Sequence, residues 1–261
     1  MNVKNKLGQI TIFVVVAIVI VGIGTAVYFN KDIENSLNQN SFSDVKTNLD
    51  SCLNELSKGA VIFVGENAGF YNLPEKYSNN LLPGLAYLMY ENENLVPSKE
   101  AVEGEIASYI ENSFDYCLDE EELTREGIAF TKSENNVKVF INEDNVLINL
   151  KTELSLTKND RTDLISDFSA EVKNVRIPRI LEISNGVVNS QIEDISSICM
   201  SCIEEIAENN EVYVDVENTN DKDDFIVIIT DPSSLIDEES YEFKFAAKYK
   251  LNQCEVGECL K

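Results

Sequence analysis

The 261-residue chain carries 46 acidic residues against 21 basic ones, a formal net charge of −25, with six cysteines and neither histidine nor tryptophan. Phosphate recognition needs a basic footprint, so this balance argues against nucleic acid as a partner and against docking on an anionic membrane surface. Missing histidine removes the usual general base near neutral pH, the commonest metal ligand and every His-based triad.

The chain begins with a short basic segment, 1–9, holding Lys4 and Lys6. Ile10 to Phe29 then follow without a charge, their only polar side chains being Thr11, Thr25 and Tyr28. About 20 residues at ~1.5 Å each span ~30 Å, the hydrocarbon thickness of a bilayer. A secretory h-region is shorter, roughly 7–15 residues, and ends in small residues. Here Tyr28-Phe29-Asn30 follows, which suits a membrane–water interface. The run reads as a transmembrane helix over 10–29, with the lipid bilayer as its partner. The positive-inside rule puts the N-terminus in the cytoplasm and residues 30–261 on the extracytoplasmic side of the cell membrane. A buried core helix is the alternative. Gly22-x-Gly24-Thr25 offers a small-residue face on which a partner in a membrane complex could pack.

The junction Lys6-Leu-Gly8-Gln9-Ile-Thr11, with the apolar run straight after it, resembles the class III signal of archaeal type IV pilin-like proteins. Gly8, Gln9 and Thr11 match the family's Gly, Gln and Ser/Thr positions. The resemblance implies cleavage between Gly8 and Gln9 by a membrane peptidase. It also implies that the apolar helix stays on the mature chain, where it can pack in a filament core. The family's usual Glu, five residues into the mature chain, falls on Phe13. More broadly, the GQITIF start, single span and acidic, cysteine-containing ectodomain resemble single-pass surface proteins of archaea, which implies a location and no activity.

Residues 30–41 are polar and read as a stalk or as a continuation of the span. Phe42, Val45, Leu49, Cys52, Leu56, Ala60 and Phe63 then recur at helical spacing, with Ser43 and Asp44 at the start and Gly65 and Gly69 at the end. Such a stripe packs on its own domain or pairs with another subunit. Residues 71–97 hold three of the five prolines and the stretch Tyr87-Leu-Met-Tyr90, read as a long loop with a short strand. Ser98 caps a second helix with the stripe Val102, Ile106, Tyr109, Ile110, Phe114 and Cys117. Asp119 to Glu122 read as a solvated helix end.

After Gly127 the period becomes two. Val137, Val139 and Ile141 precede a turn at 142–145; Val146, Ile148, Leu150, Leu154 and Leu156 precede a turn at 158–161. Leu164, Phe168, Ala170 and Val172 continue on one face. This predicts an antiparallel meander with one wet face. Pro178 opens a helical stretch to about Asn209, interrupted near Asn185-Gly186, and three strands follow at 212–216, 225–230 and 241–249. The fold class is α+β with antiparallel sheet. The expected organisation is a basic segment 1–9, a span 10–29, a stalk and helical region 30–126, and a sheet-plus-helix region 127–261.

All six cysteines, Cys52, Cys117, Cys199, Cys202, Cys254 and Cys259, lie beyond the span, and an even count in an exported domain reads as a disulfide framework. Cys52 and Cys117 each lie on the stripe of one of the first two helices, so a bridge between those helices is expected. Cys199-x-x-Cys202 and Cys254-(x4)-Cys259 then pair locally or with each other. Two sharper readings compete. A redox CxxC needs its first thiolate at a helix N-terminus, whereas Ile192, Ile195 and Ile198 run in helical register and place this CxxC inside a helix. Cys199, Cys202, Cys254 and Cys259 could alternatively hold zinc as four thiolates, against which an oxidising exterior counts.

Asp215-x-Glu217-x-Thr219-x-Asp221-x-Asp223 spaces oxygens like a calcium loop, but Asn220 and Ile226 stand where an EF-hand has Gly and Glu. An acidic hairpin tip is the plainer reading. No P-loop, GxGxxG, GxSxG or HExxH occurs. No catalytic residue and no cofactor is expected. The sequence reads as a membrane-anchored surface protein with a structural, adhesive or pilin-like role, open to self-assembly. The alternatives are an accessory or binding subunit of a membrane complex, or a CxxC thiol-redox or zinc-containing protein.

Overall fold

Helix α1 enters the core at Phe42 and runs to residue 66, burying Phe42, Leu49, Leu53, Ala60, Val61 and Val64. The computed structural model describes residues 42–80, 84–219 and 221–251. Gly8, Gln9, Phe13, the run Ile10 to Phe29 and the cysteines Cys254 and Cys259 lie outside the described residues. Among the described residues no helix is long and apolar enough to cross a membrane.

The buried face of α1 is wider than the predicted stripe, because the helix meets two neighbours. On one side Phe63 stacks on Tyr109 of α2 (Lys99–Ser113), with ring centroids 5.3 Å apart. On the other side Lys58 reaches Asp237 at 2.7 Å and Glu66 accepts from Lys244 at 3.0 Å. Gly69, at φ 90°, ends the helix and returns its N–H to the Val64 carbonyl at 2.8 Å.

Strands β1 (Tyr77–Ser78), β2 (Leu85–Tyr90) and β3 (Glu93–Asn94) come next. Ser98 caps α2 by accepting the Ala101 N–H at 3.2 Å, and Asp119 caps α3 (Glu120–Arg125) by accepting the Glu122 N–H at 2.8 Å. Val102, Ile106 and Ile110 form the buried stripe of α2.

The meander appears as expected, bent at its middle into two three-stranded antiparallel sheets. The first is β5 (Asn136–Ile141), β6 (Asn145–Lys151) and β9 (Phe168–Lys173); the second is β4 (Ala129–Lys132), β7 (Leu154–Lys158) and β8 (Arg161–Ile165). One face carries Val137, Val139, Ile141, Val146, Ile148, Leu150, Phe168, Ala170 and Val172 into the core, where β5 lies against α2. Leu164 departs from the expectation: it is 60% exposed, and Ile165 is buried in its place. Leu150 pairs with Phe168 but Leu154 pairs with Ile165, so one strand holds an extra residue at the bend. Asp167, at φ 58°, makes the left-handed step that flips the face.

Helix α4 (Ile177–Ile192) runs unbroken through Asn185-Gly186, correcting the expected interruption there. An added Cβ on Gly186 would meet Ile206 at 3.9 Å, which places that position against α5 (Met200–Asn210). The break falls instead at 193–199. The Asp194 carboxylate accepts the Ser196 N–H at 3.0 Å and the Ser196 and Ser197 hydroxyls, drawing the backbone out of the helix.

The largest sheet is ordered β1-β2-β12-β11-β10, with β10 (Tyr213–Asn218), β11 (Asp224–Ile236) and β12 (Glu239–Lys248), and with β3 on β2. Its pairings are antiparallel except β12 with β2, which is parallel. Strand β2 buries Leu85, Ala86, Tyr87, Leu88 and Met89 in succession, as a strand covered on both faces does. It lies in the expected helical region 30–126 yet pairs with a strand of 127–261, so the sheet crosses the 126/127 division. Strand β11 passes Pro232 because the ladder shifts between Asp231 and Leu235, leaving Pro232 unpaired. Asp237 and Glu238, both left-handed, close the β11–β12 hairpin.

Candidate functional site

Three groups of polar or sulfur-bearing side chains stand out against this core. The first is the pair of disulfides. Cys52 on α1 is bonded to Cys117 at the end of the 3-10 turn after α2, across a sequence separation of 65 residues. In the chain-entropy account a loop of that size is worth about 4 kcal/mol. Cys199 is bonded to Cys202, a separation of 3 residues, for which the same account gives only about 2 kcal/mol.

The position of Cys199 corrects the sequence reading. It is the N-cap of α5, not an interior helical residue, because Asp194 and its two serines have already ended the helical register of Ile192 and Ile195. Its sulfur accepts the Cys202 N–H at 3.3 Å. Its own N–H donates to Gln191 Oε1 at 2.9 Å, and its carbonyl accepts from Gln191 Nε2 at 3.3 Å. Gln191 is 2% exposed, and its Oε1 also accepts the Tyr249 hydroxyl at 3.2 Å. Both cysteines are half-buried, while Met200 and Ser201 between them are exposed. Cys199 and Cys202 are bonded to each other, while Cys254 and Cys259, the other two candidate zinc ligands, lie outside the described residues.

The second group surrounds two buried carboxylates at either end of the main ladder of β11. Asp224, 2% exposed, accepts the Tyr87 hydroxyl at 2.7 Å, the Asn80 amide at 2.8 Å and the Ser78 hydroxyl at 3.1 Å, all on Oδ2. The Lys248 ammonium lies 2.7 Å from Oδ1 without hydrogen-bond alignment, so that atom is satisfied by charge alone. Lys248 also donates to Asp221 at 3.1 Å. Burial opposes the Lys248 charge, but the two carboxylates outweigh it and hold the ammonium above its ordinary range. Burial, then the bond to Asp224, pushes the Tyr87 phenol up to about 12.

Asp231, with no exposed side-chain surface, takes the Arg176 guanidinium through Nε at 3.0 Å and Nη2 at 2.6 Å, the Ser234 hydroxyl at 2.6 Å and the Ser233 N–H at 3.0 Å. Burial pushes its carboxyl up, yet Arg176, Ser234 and Ser233 together hold it below the usual carboxylate range. Both carboxylates are occupied by the protein's own donors, the arrangement of structural ties rather than of a general base.

The acidic tip is built the same way. Thr219 donates its hydroxyl to the Asp224 carbonyl at 3.0 Å, Asp221 accepts the Asp223 N–H at 3.2 Å, and Lys248 supplies the cation between Asp221 and Asp224. Among the described residues no three His, Cys, Asp or Glu side chains gather as metal ligands.

The third feature is a cleft of about 930 Å³ between α5 and the start of edge strand β10. Met200, Ile203, Ala207 and Tyr213 line it, among the carboxylates of Glu204, Glu208 and Asp215. The sequence singled out the cysteines but neither the buried carboxylates nor this cleft: Asp224 and Asp231 look like any other acid in a chain with 46 of them. A faint signal existed in their placement at the two ends of the apolar run 225–229. No protein-family model, no curated protein and no solved structure matches the chain.

Proposed function

We propose that the chain is a membrane-anchored surface protein, held by a span at Ile10 to Phe29, whose α+β body lies on the extracytoplasmic side in a structural, adhesive or pilin-like role. The observation that carries this reading is the Cys52–Cys117 bridge. It ties the first described helix to the 3-10 turn that follows α2, and such bonds persist in oxidising compartments. Helix α1 is also rooted in the core from Phe42 onward, so a pull on the anchor is borne by buried side chains and a covalent tie. The excess of carboxylates keeps the body off anionic headgroups, as befits a domain that projects from the membrane.

Gly8 and Gln9 are the processing site in this reading, with the apolar run retained and free to self-assemble or to dock in a membrane complex. N-terminal sequencing of the protein from isolated membranes tests it. Gln9 at the terminus supports the pilin-like processing, and Met1 or Asn2 removes it. Protease added to intact spheroplasts is expected to digest the body; full protection would contradict the orientation.

A further inference from the structure

We propose that Cys199–Cys202 is an exchangeable dithiol–disulfide centre that trades electrons with a thiol or disulfide of a partner protein, while Cys52–Cys117 is the structural bond. The two bridges differ in what they hold. Cys52–Cys117 joins α1 to the 3-10 turn that follows α2, and both helices bury a stripe in the core. The ring at Cys199 holds nothing that is not already held: both backbone polar groups of Cys199 are fixed by the buried Gln191, which Tyr249 fixes in turn. Opening the bond therefore leaves the start of α5 in place, so both redox states share one backbone.

The chemistry is favourable at the same point. Cys199 is the N-cap of an eleven-residue helix, and its sulfur already receives a helix N–H from Cys202 at 3.3 Å. A thiolate there gains the positive end of the helix and an unshared N–H, the usual means of activating a cysteine. Ser201 lies within 3.6 Å of the same sulfur. Exposed Met200 also opens the wall of the α5–β10 cleft, where a partner segment can lie beside the reacting bond.

In the oxidising direction a partner thiolate attacks the Cys199 sulfur, a new S–S bond forms, and Cys202 leaves with the bonding pair and takes a proton. The partner's second thiolate then attacks its own sulfur in that mixed disulfide and expels the Cys199 thiolate. The partner dithiol has lost two electrons and become a disulfide; the CxxC has gained them. The reverse sequence starts with Cys199 attacking a partner disulfide, and Cys202 resolves it.

Full-length chain in mild detergent, equilibrated with mixtures of reduced and oxidised dithiothreitol, then acid-quenched, alkylated and peptide-mapped, tests the assignment. Cys199–Cys202 is expected to open at a reduced-to-oxidised ratio about 100-fold lower than Cys52–Cys117. Opening of the two at the same ratio, or of Cys52–Cys117 first, overturns it. A second arm treats the reduced Cys202→Ser and Cys199→Ser variants with an aromatic disulfide at neutral pH, with mapping to set aside Cys254 and Cys259. Cys199 in the first variant is expected to react about tenfold faster than Cys202 in the second; equal rates, or a faster Cys202, contradict the assigned roles.

Discussion

Arg176 grips Asp231 through two parallel hydrogen bonds, Nε to Oδ2 at 3.0 Å and Nη2 to Oδ1 at 2.6 Å, where the meander meets the largest sheet. The Arg176 N–H donates to the Ser234 hydroxyl at 3.0 Å, and the Asn174 carbonyl accepts the Leu235 N–H at 2.8 Å, so the joint is sewn at four points. Arg176→Met strands a fully buried carboxylate, and unfolding at pH 7 is expected to show a loss of about 3 kcal/mol. Asp231 is held below its unfolded range, so its contribution is present above roughly pH 4 and fades as pH falls through the folded value. Loss of Arg176 raises the folded Asp231 value, so the gap between wild type and Arg176→Met is expected to narrow as the pH falls from the variant's raised value toward the wild-type one. A constant gap from pH 7 to pH 3 would contradict this account of Asp231.

Tyr87 provides the opposite sign. Its phenol is pushed up to about 12, so the folded state holds the proton more tightly than the unfolded chain, where a phenol ionises near 10. That contribution is complete below about pH 10 and lost as pH rises toward about 12. Tyr87→Phe is expected to cost about 1–2 kcal/mol at pH 7, because Asp224 loses one of its donors. The variant is also expected to lose less stability between pH 10 and 12. Equilibrium unfolding across that range measures both effects.

The contact between α1 and β12 leaves no space at Gly65. A Cβ there would collide with the Tyr241 ring, its Cζ at 2.7 Å, and with the Glu242 carbonyl at 2.9 Å. Gly65→Ala is expected to destabilise by about 2 kcal/mol. Gly104, on α2, has nothing within 4 Å of its added Cβ apart from its own stretch of helix, and Gly104→Ala is expected to stabilise by about 0.5–1 kcal/mol. Thermal unfolding of the two variants side by side gives the comparison; shifts of the same sign would contradict the packing described for α1.

Replacing both Cys52 and Cys117 by alanine is expected to cost about 4 kcal/mol, read as a fall in denaturation midpoint with a steeper slope, because the unfolded chain without the cross-link exposes more surface. The same double replacement at Cys199 and Cys202 is expected to cost about 2 kcal/mol or less. Equal losses would remove the distinction between a bond that holds the fold and one that does not.

Local signals were legible and distant ones were not. The alternation of Val137 to Ile141 and Val146 to Leu150, with polar turns between, gave the meander, and helical spacing with Ser98 as cap gave α2. The one wrong face, at Leu164, came from a left-handed Asp167 that period counting passes over. The parallel pairing of β2 with β12 joins residues near Tyr87 to residues near Ala246, and no local pattern encodes it. The helix break was misplaced because Asn185-Gly186 looks like a stop, whereas Asp194 with Ser196 and Ser197 makes the real one through side-chain bonds. That error moved Cys199 from a helix interior to a helix start and changed what its sulfur can do.

The proposed role requires an acid-rich body on the oxidising side of a membrane that the run Ile10 to Phe29 would cross. The most direct measurement is to quench intact cells with acid, alkylate all free thiols, fractionate, and map Cys52 and Cys117. The expected result is an unlabelled, bonded pair recovered with the membranes. Alkylated Cys52 and Cys117 in a freely soluble cytosolic fraction would contradict it.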